Sequence, residues 1–325
     1  MSTRRRRFTG LAAGIVLFAG ALVLLDRSLH GVRLDQLWHE LRQFPASSIA
    51  LAVLLTIISH SALTAYDAIG VYYIRRHLAY WRIALAAFLA YSISHSLGFA
   101  AVTGGAVRYR LYSRWGISAV EVAQIMGMGG VTLFLGMFSI GGIALLFDAG
   151  RVQGWLDLPL GLCSALGILC LAVVAGYGMI GLIRQKPIRV GSFELAIPSP
   201  RFAAFQIVIS AVDWLLVASV LYVLLPSSPT FGFPNFLGVF VLAYLLGILS
   251  NVPGGLGVFE SIILFTMTPA VPAPAVLSAL LVYRGVYHLL PLSVGGVTFI
   301  ATELWRRRKP SAKPAGRRIK RHVDG

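Results

Sequence analysis

The sequence predicts an all-α polytopic membrane protein of about six full spans plus two re-entrant helical hairpins, related as an inverted repeat. Three observations carry this. Of 325 residues, 57% are hydrophobic and only 12% charged, against about 25% charged in soluble domains. Several apolar runs reach the roughly 18 residues that mark a membrane helix. The segments VTGG (102–105) and VPGG (252–255) each follow a long apolar run, and paired broken helices are a mark of inverted-repeat transporters.

RRRR (4–7) precedes the first span, Phe8–Leu25. Its apolar core exceeds the usual h-region of a signal peptide, so an uncleaved span is expected, with cleavage near AGA (19–21) as the alternative. In VRLDQLWHELRQF (32–44), Leu34, Leu37, Trp38 and Leu41 share one helical face, which predicts a short interfacial helix. Pro45 opens the second span, Ala46–Ile74, which carries His60 and Asp67; Arg75, Arg76 and Arg82 flank the next turn. Ile83–Val102, TGGAVRYRLYSRWG (103–116), Val122–Phe147 and Leu158–Ile183 follow. Phe202–Leu225 contains Asp213, and Phe236–Val252 leads into PGGLGVFE and a short apolar piece ending at Met267. TPAVPAPA (268–275) is a Pro-rich turn before the last span, Val276–Ile300, which holds Arg284 and His288. Residues 1–304 thus read as one membrane domain and 305–325 as a basic cytoplasmic tail. Cys163 and Cys170 would lie about 10 Å apart along one helix, too far for a disulfide.

The net charge is +16, from 28 Lys and Arg against 12 Asp and Glu. The excess sits at both ends and in short loops, where it reads as a positive-inside signal and an attraction to anionic lipids. Nucleic acid is not an expected partner, because the aromatic interleaving that stacks bases is absent. If every apolar run crosses, the basic loop residues divide between the two sides. If 83–115 and 236–267 are hairpins, nearly all of them fall on the side of the N-terminus. That arrangement leaves both termini cytoplasmic. Eight plain spans are the alternative, since Ile83–Val102 is long enough to cross.

In each hairpin the second half-helix is expected to begin just after Gly105 or Gly255. Its free N–H groups would then face the middle of the membrane, where a helix N-terminus attracts phosphate. Glycine permits close approach of a ligand. The candidate lipid-phosphate ligands are therefore Gly104, Gly105, Gly254 and Gly255, with Arg108 and Tyr112 one helical turn apart. Tight helix packing is the competing reading of the glycines. Arg110 and Arg114 can snorkel to the headgroups. The intramembrane charges are Asp67, Asp213, Glu260 and Arg284. The acids either accept a cationic headgroup or pair within the protein, Asp67 with Arg108 and Glu260 with Arg284. His60, His95 and His288 are scattered and lack metal-ligand spacing. Neither a nucleophile elbow nor a P-loop is present. No catalytic residue, metal or cofactor is expected.

VTGGAVRYRLYSRWGISAVEVAQI (102–125) and SNVPGGLGVFE (250–260) resemble the membrane domain of the lysylphosphatidylglycerol synthase/flippase family, and the resemblance covers residues 8–304. It implies a lipid flippase of the bacterial inner membrane. In full-length members a cytosolic C-terminal domain transfers lysine from its tRNA to phosphatidylglycerol. The membrane domain then moves the product to the outer leaflet, where it repels cationic peptides. Here only the basic tail follows Trp305, so no synthase domain and no enzymatic activity are expected. The expected partner is a membrane phospholipid, with an aminoacylated phosphatidylglycerol as one form, made by a separate lipid-modifying enzyme; an oligomer is compatible with this. Two other readings stay open. One is a secondary transporter of a small anionic or zwitterionic solute, and the other is a membrane scaffold for a phospholipid-modifying enzyme.

Overall fold

The computed structural model describes residues 34–97, 100–147, 159–183, 188–190, 193–195, 198–227, 231–250, 252–268 and 270–308. The expected first span and most of the basic tail lie outside the described residues. The rest is helical apart from one short hairpin, β1 (Ile188–Val190) paired antiparallel with β2 (Phe193–Leu195). The helix expected within 32–44 forms as α1 (Leu34–Arg42), and the Arg42 guanidinium covers the exposed Trp38 ring at 5.0 Å. Pro45 then starts α2 (Ala46–Tyr73).

Among the described residues, five helical stretches are long and apolar enough to cross a membrane. They are α2, α5 (Ala119–Phe147), α6 (Leu160–Ile183), α7 (Pro200–Tyr222) and the last span, Ala273–Ala301. The last span comprises α10 (Ala273–Tyr283), a π-helical segment (Arg284–Leu289) and α11 (Leu290–Arg308). Local signals set several starts. Ser118 and Glu121 form a reciprocal capping box at α5, at 2.7 and 3.3 Å. Ser199 caps α7, whose first residue is Pro200.

The two predicted hairpin regions are built from shorter helices. The first pairs α3 (Tyr80–Leu97) with α4 (Ala100–Tyr112), and the second pairs α8 (Phe233–Leu249) with α9 (Val258–Met267). At 13 and 10 residues, α4 and α9 fall well short of a crossing length of roughly 20.

The two breaks differ from one another. Around VPGG the chain leaves the helix as expected. Gly254, Gly255 and Gly257 have φ of 63°, 61° and 80°, a left-handed backbone that favours glycine. At VTGG the expectation is corrected, because α4 is already helical at Ala100 and runs through Gly104 and Gly105. Helical amides at those positions reach back four residues to carbonyls of their own helix, so they cannot present free N–H groups to a phosphate. A Cβ on Gly104 would stand 3.1 Å from Arg108 Nη1 and 3.3 Å from Ser94 Cβ, so this glycine serves close packing of α4 on α3.

Apolar packing divides into two cores. One joins Val71, Ile83, Leu89, Leu111 and Ile125 from α2 to α5. The other joins Trp214, Phe240, Phe259, Ile263 and Tyr283 from α7 to α10. Each short helix, α4 or α9, is thus embedded in its own core. Helix crossings are close: a Cβ on Gly70 would meet Ile125 Cα at 2.8 Å, and one on Gly136 the Ser210 carbonyl oxygen at 2.6 Å. Small residues at contacts of this kind let membrane helices approach backbone to backbone. Cys163 and Cys170 are free thiols.

Candidate functional site

The turn at VPGG packs against the end of α3. Gly254 lies against the last turn of α3, where a Cβ would be 3.6 Å from the His95 carbonyl oxygen and 3.7 Å from that of Ser96. Ser96 Oγ donates to the His288 carbonyl in the π-helical segment at 3.1 Å. Three irregular pieces of backbone therefore converge: the end of α3, the turn before α9, and the π segment of the last span. Irregular backbone at membrane depth persists where protein or a watery cavity satisfies it, and π segments recur at functional sites.

On the α4 side, Asp67 and Arg108 form a buried ion pair. Arg108 Nη2 donates to Asp67 Oδ1 at 2.8 Å and Nε to Oδ2 at 2.9 Å, a two-pronged contact. Tyr112 donates to the same carboxylate at 2.9 Å, and the Arg108 guanidinium lies 4.4 Å from the Tyr91 ring centre. The side chains of Arg108 and Asp67 are 5% and 2% exposed. Arg110 is exposed, as snorkelling requires.

On the α9 side, Arg284 reaches Glu260 with Nε 2.6 Å from Oε1, and donates through Nη1 to the Gly254 carbonyl at 3.0 Å. The second carboxylate oxygen of Glu260 accepts the Gly257 N–H at 2.8 Å, closing the start of α9. Gly255 N–H is also used, donating to Val252 O at 2.9 Å. The expectation of backbone donors at Gly255 is therefore corrected as well: the carboxylate three residues into α9 caps the helix, and a local turn takes the Gly255 amide. Both side chains of this second pair are 16% exposed.

Asp213 stands apart from both pairs. It is buried on α7 and accepts from Ser59 Oγ at 2.8 Å and from Tyr66 OH at 3.1 Å. Among the described residues no cation reaches it. Ser59 Oγ also lies 3.1 Å from Tyr287 OH. Since the serine hydrogen goes to the carboxylate, the phenol is the donor in that contact. His60, His95 and His288 gather around Tyr287, with ring centres 5.1, 6.3 and 5.3 Å from its own. One ring nitrogen of each histidine is buried without a hydrogen-bond partner among the described residues.

The sequence pairs the acids with the right arginines, but the histidine group is hidden from it. Its members are far apart in the chain and show no spacing pattern. The only local hint is an ionisable residue inside an apolar run. Among the described residues no group of His, Cys, Asp and Glu is arranged to hold a metal ion.

Comparison with known proteins gives a consistent set of relatives. Residues 11–295 match the family described as the lysylphosphatidylglycerol synthase TM region. A Synechocystis protein named "Uncharacterized protein slr0712" is 34% identical over 307 residues, covering 94% of this chain and 95% of its own. The Escherichia coli inner membrane protein YbhN is 27% identical over 292 residues, 88% of this chain and 90% of its own. A Staphylococcus aureus phosphatidylglycerol lysyltransferase is 23% identical over 291 residues, 86% of this chain but only 32% of that enzyme. The chain thus spans about a third of the length of the lysyltransferase.

Proposed function

The chain belongs to the family of the lysylphosphatidylglycerol synthase TM region, and from that premise we propose that it carries a phospholipid headgroup between the leaflets of a bacterial inner membrane. The observation that carries this reading is the pairing of each short helix with an arginine–carboxylate contact, Asp67 with Arg108 and Glu260 with Arg284. Without a ligand the charges cancel internally, which limits the penalty of burying them. A phospholipid brings a phosphate that can take the place of a carboxylate on arginine, and an aminoacylated headgroup brings an ammonium for the carboxylate released. The partly exposed Glu260–Arg284 pair opens first in this scheme. Arg108 and Tyr112, with Asp67, form the second station, and the acyl chains stay in lipid throughout.

Both termini are assigned to the cytoplasm, in accord with the positive-inside bias of the loops. The role is transport without chemistry, acting on a lipid supplied by a separate modifying enzyme, and resistance to cationic peptides follows when that lipid is cationic.

The test is lipid movement in proteoliposomes. A headgroup- or chain-labelled phospholipid loaded in one leaflet is expected to become accessible from the other faster than in protein-free vesicles. Uptake of a soluble glycerophosphodiester in its place would favour the solute-transporter reading. Movement of neither, with a retained cellular phenotype after both pairs are neutralised, would favour the scaffold.

A further inference from the structure

One buried acid is used by neither ion pair. Asp213 is held by Ser59 and Tyr66 from α2. The other titratable groups that interact with it electrostatically are Tyr91 on α3, Tyr244 on α8, and Tyr283 and Tyr287 in the last span. All are phenols, and among the described residues no positive charge reaches the carboxyl. A lone carboxyl at membrane depth changes its charge only by binding or releasing a proton.

Ser59 bridges that carboxyl to the Tyr287 hydroxyl, and the Tyr287 ring packs among the three histidine rings. His60 uses Nδ1–H to donate to the Thr56 carbonyl at 3.1 Å, which leaves Nε2 as a buried lone pair without a partner. Its ring packs edge-on to Tyr287 at 5.1 Å. His95 and His288 likewise each keep one buried ring nitrogen unpartnered, and His288 Nε2 lies 3.5 Å from Arg284 Nη1. Arg284 belongs to the partly exposed pair with Glu260, so the histidine group lies between that pair and Tyr287. Of the charged groups around the histidines, Arg284 borders His288 and Arg108 borders the Tyr91 ring next to His95; each arginine is balanced by its own carboxylate.

We propose that His60, His95, His288, Tyr287, Ser59 and Asp213 form a proton relay that couples lipid movement to a transmembrane pH gradient. This rests on the lipid-transport reading above. In the relay a proton arriving on a histidine ring nitrogen passes to the Tyr287 oxygen. The phenol hydrogen passes to Ser59, and the serine hydrogen passes to Asp213. The imidazole returns to neutral, both hydroxyls are restored, and the carboxylate becomes a carboxylic acid, so one proton has moved and nothing else has changed.

The experiment uses full-length protein in liposomes holding a labelled phospholipid and an entrapped pH dye, read with and without an imposed pH gradient. Wild type is expected to move lipid at least threefold faster with the gradient and to carry protons inward as it does. Asp213→Asn keeps the size of the side chain and is expected to move lipid at the same rate with or without the gradient. Tyr287→Phe removes only the linking hydroxyl and is expected to behave in the same way. Gradient-independent movement by wild type, or a full gradient response in both variants, overturns the relay and leaves the transport reading standing. Proton entry that depends on Asp213 without lipid movement overturns the transport reading and the coupling with it, leaving a proton path alone. Absence of both overturns both.

Discussion

The two arginine–carboxylate pairs share a composition and differ in their surroundings. Asp67 and Arg108 make a two-pronged contact, with Tyr112 on the carboxylate and Tyr91 under the guanidinium, and are almost sealed. Glu260 and Arg284 are partly exposed, and each also holds backbone: Glu260 the Gly257 amide, Arg284 the Gly254 carbonyl. The first pair is a clamp between α2 and α4. The second is tied to a turn of left-handed glycines and is more exposed than the first. In the proposed scheme the first pair therefore carries a larger share of stability and the second a larger share of transport.

The largest effect expected on stability is at the clamp. Arg108→Ala strands a buried carboxylate and is expected to cost about 3–5 kcal/mol, measured as denaturant or thermal unfolding in detergent. A loss under 1 kcal/mol would show that Asp67 finds other partners. Next comes Gly104→Ala, whose methyl would stand 3.1 Å from Arg108 Nη1; overpacking of this kind costs about 1–3 kcal/mol. Gly254→Ala acts by another route. Its Cβ meets nothing closer than 3.6 Å, but its φ is 63°, so the expected cost is roughly 1–2 kcal/mol of backbone strain. If Gly104→Ala and Gly254→Ala were both neutral, the distinction between a packed break and a left-handed break would fail.

That distinction is not encoded by the glycines themselves. Gly-Gly occurs equally in a helix that packs closely and in a turn that needs positive φ. At 252–255 the adjacent Pro253 resolves the ambiguity in favour of a turn. At 102–105 no such neighbour exists, and Ala100–Tyr112 continues as helix through both glycines. The long spans and α1 were legible because apolar periodicity and capping residues act locally. The pairing of Asp67 with Arg108 and of Glu260 with Arg284 was legible because a buried charge needs a partner and few are available. The histidine group and the π segment depend on how α2, α3 and the last span pack together, and no local pattern encodes that.

Smaller effects separate the open pair from the surface. Glu260→Gln retains an acceptor for Gly257 N–H and is expected to cost about 1 kcal/mol of stability. The exposed Arg76–Glu121 contact, at 2.7 Å, lies outside both breaks. Arg76→Gln is expected to leave stability and transport unchanged within error, since exposed ion pairs contribute little. A transport defect in that variant would move the site toward the membrane face and away from the breaks.

The most direct measurement is the initial rate at which a labelled phospholipid changes leaflets in proteoliposomes containing Glu260→Gln, compared with wild type at equal folded protein. The account predicts at least a tenfold fall together with the small stability change stated above, because the open pair is where the headgroup enters. A wild-type rate in Glu260→Gln and in Arg284→Gln would contradict it.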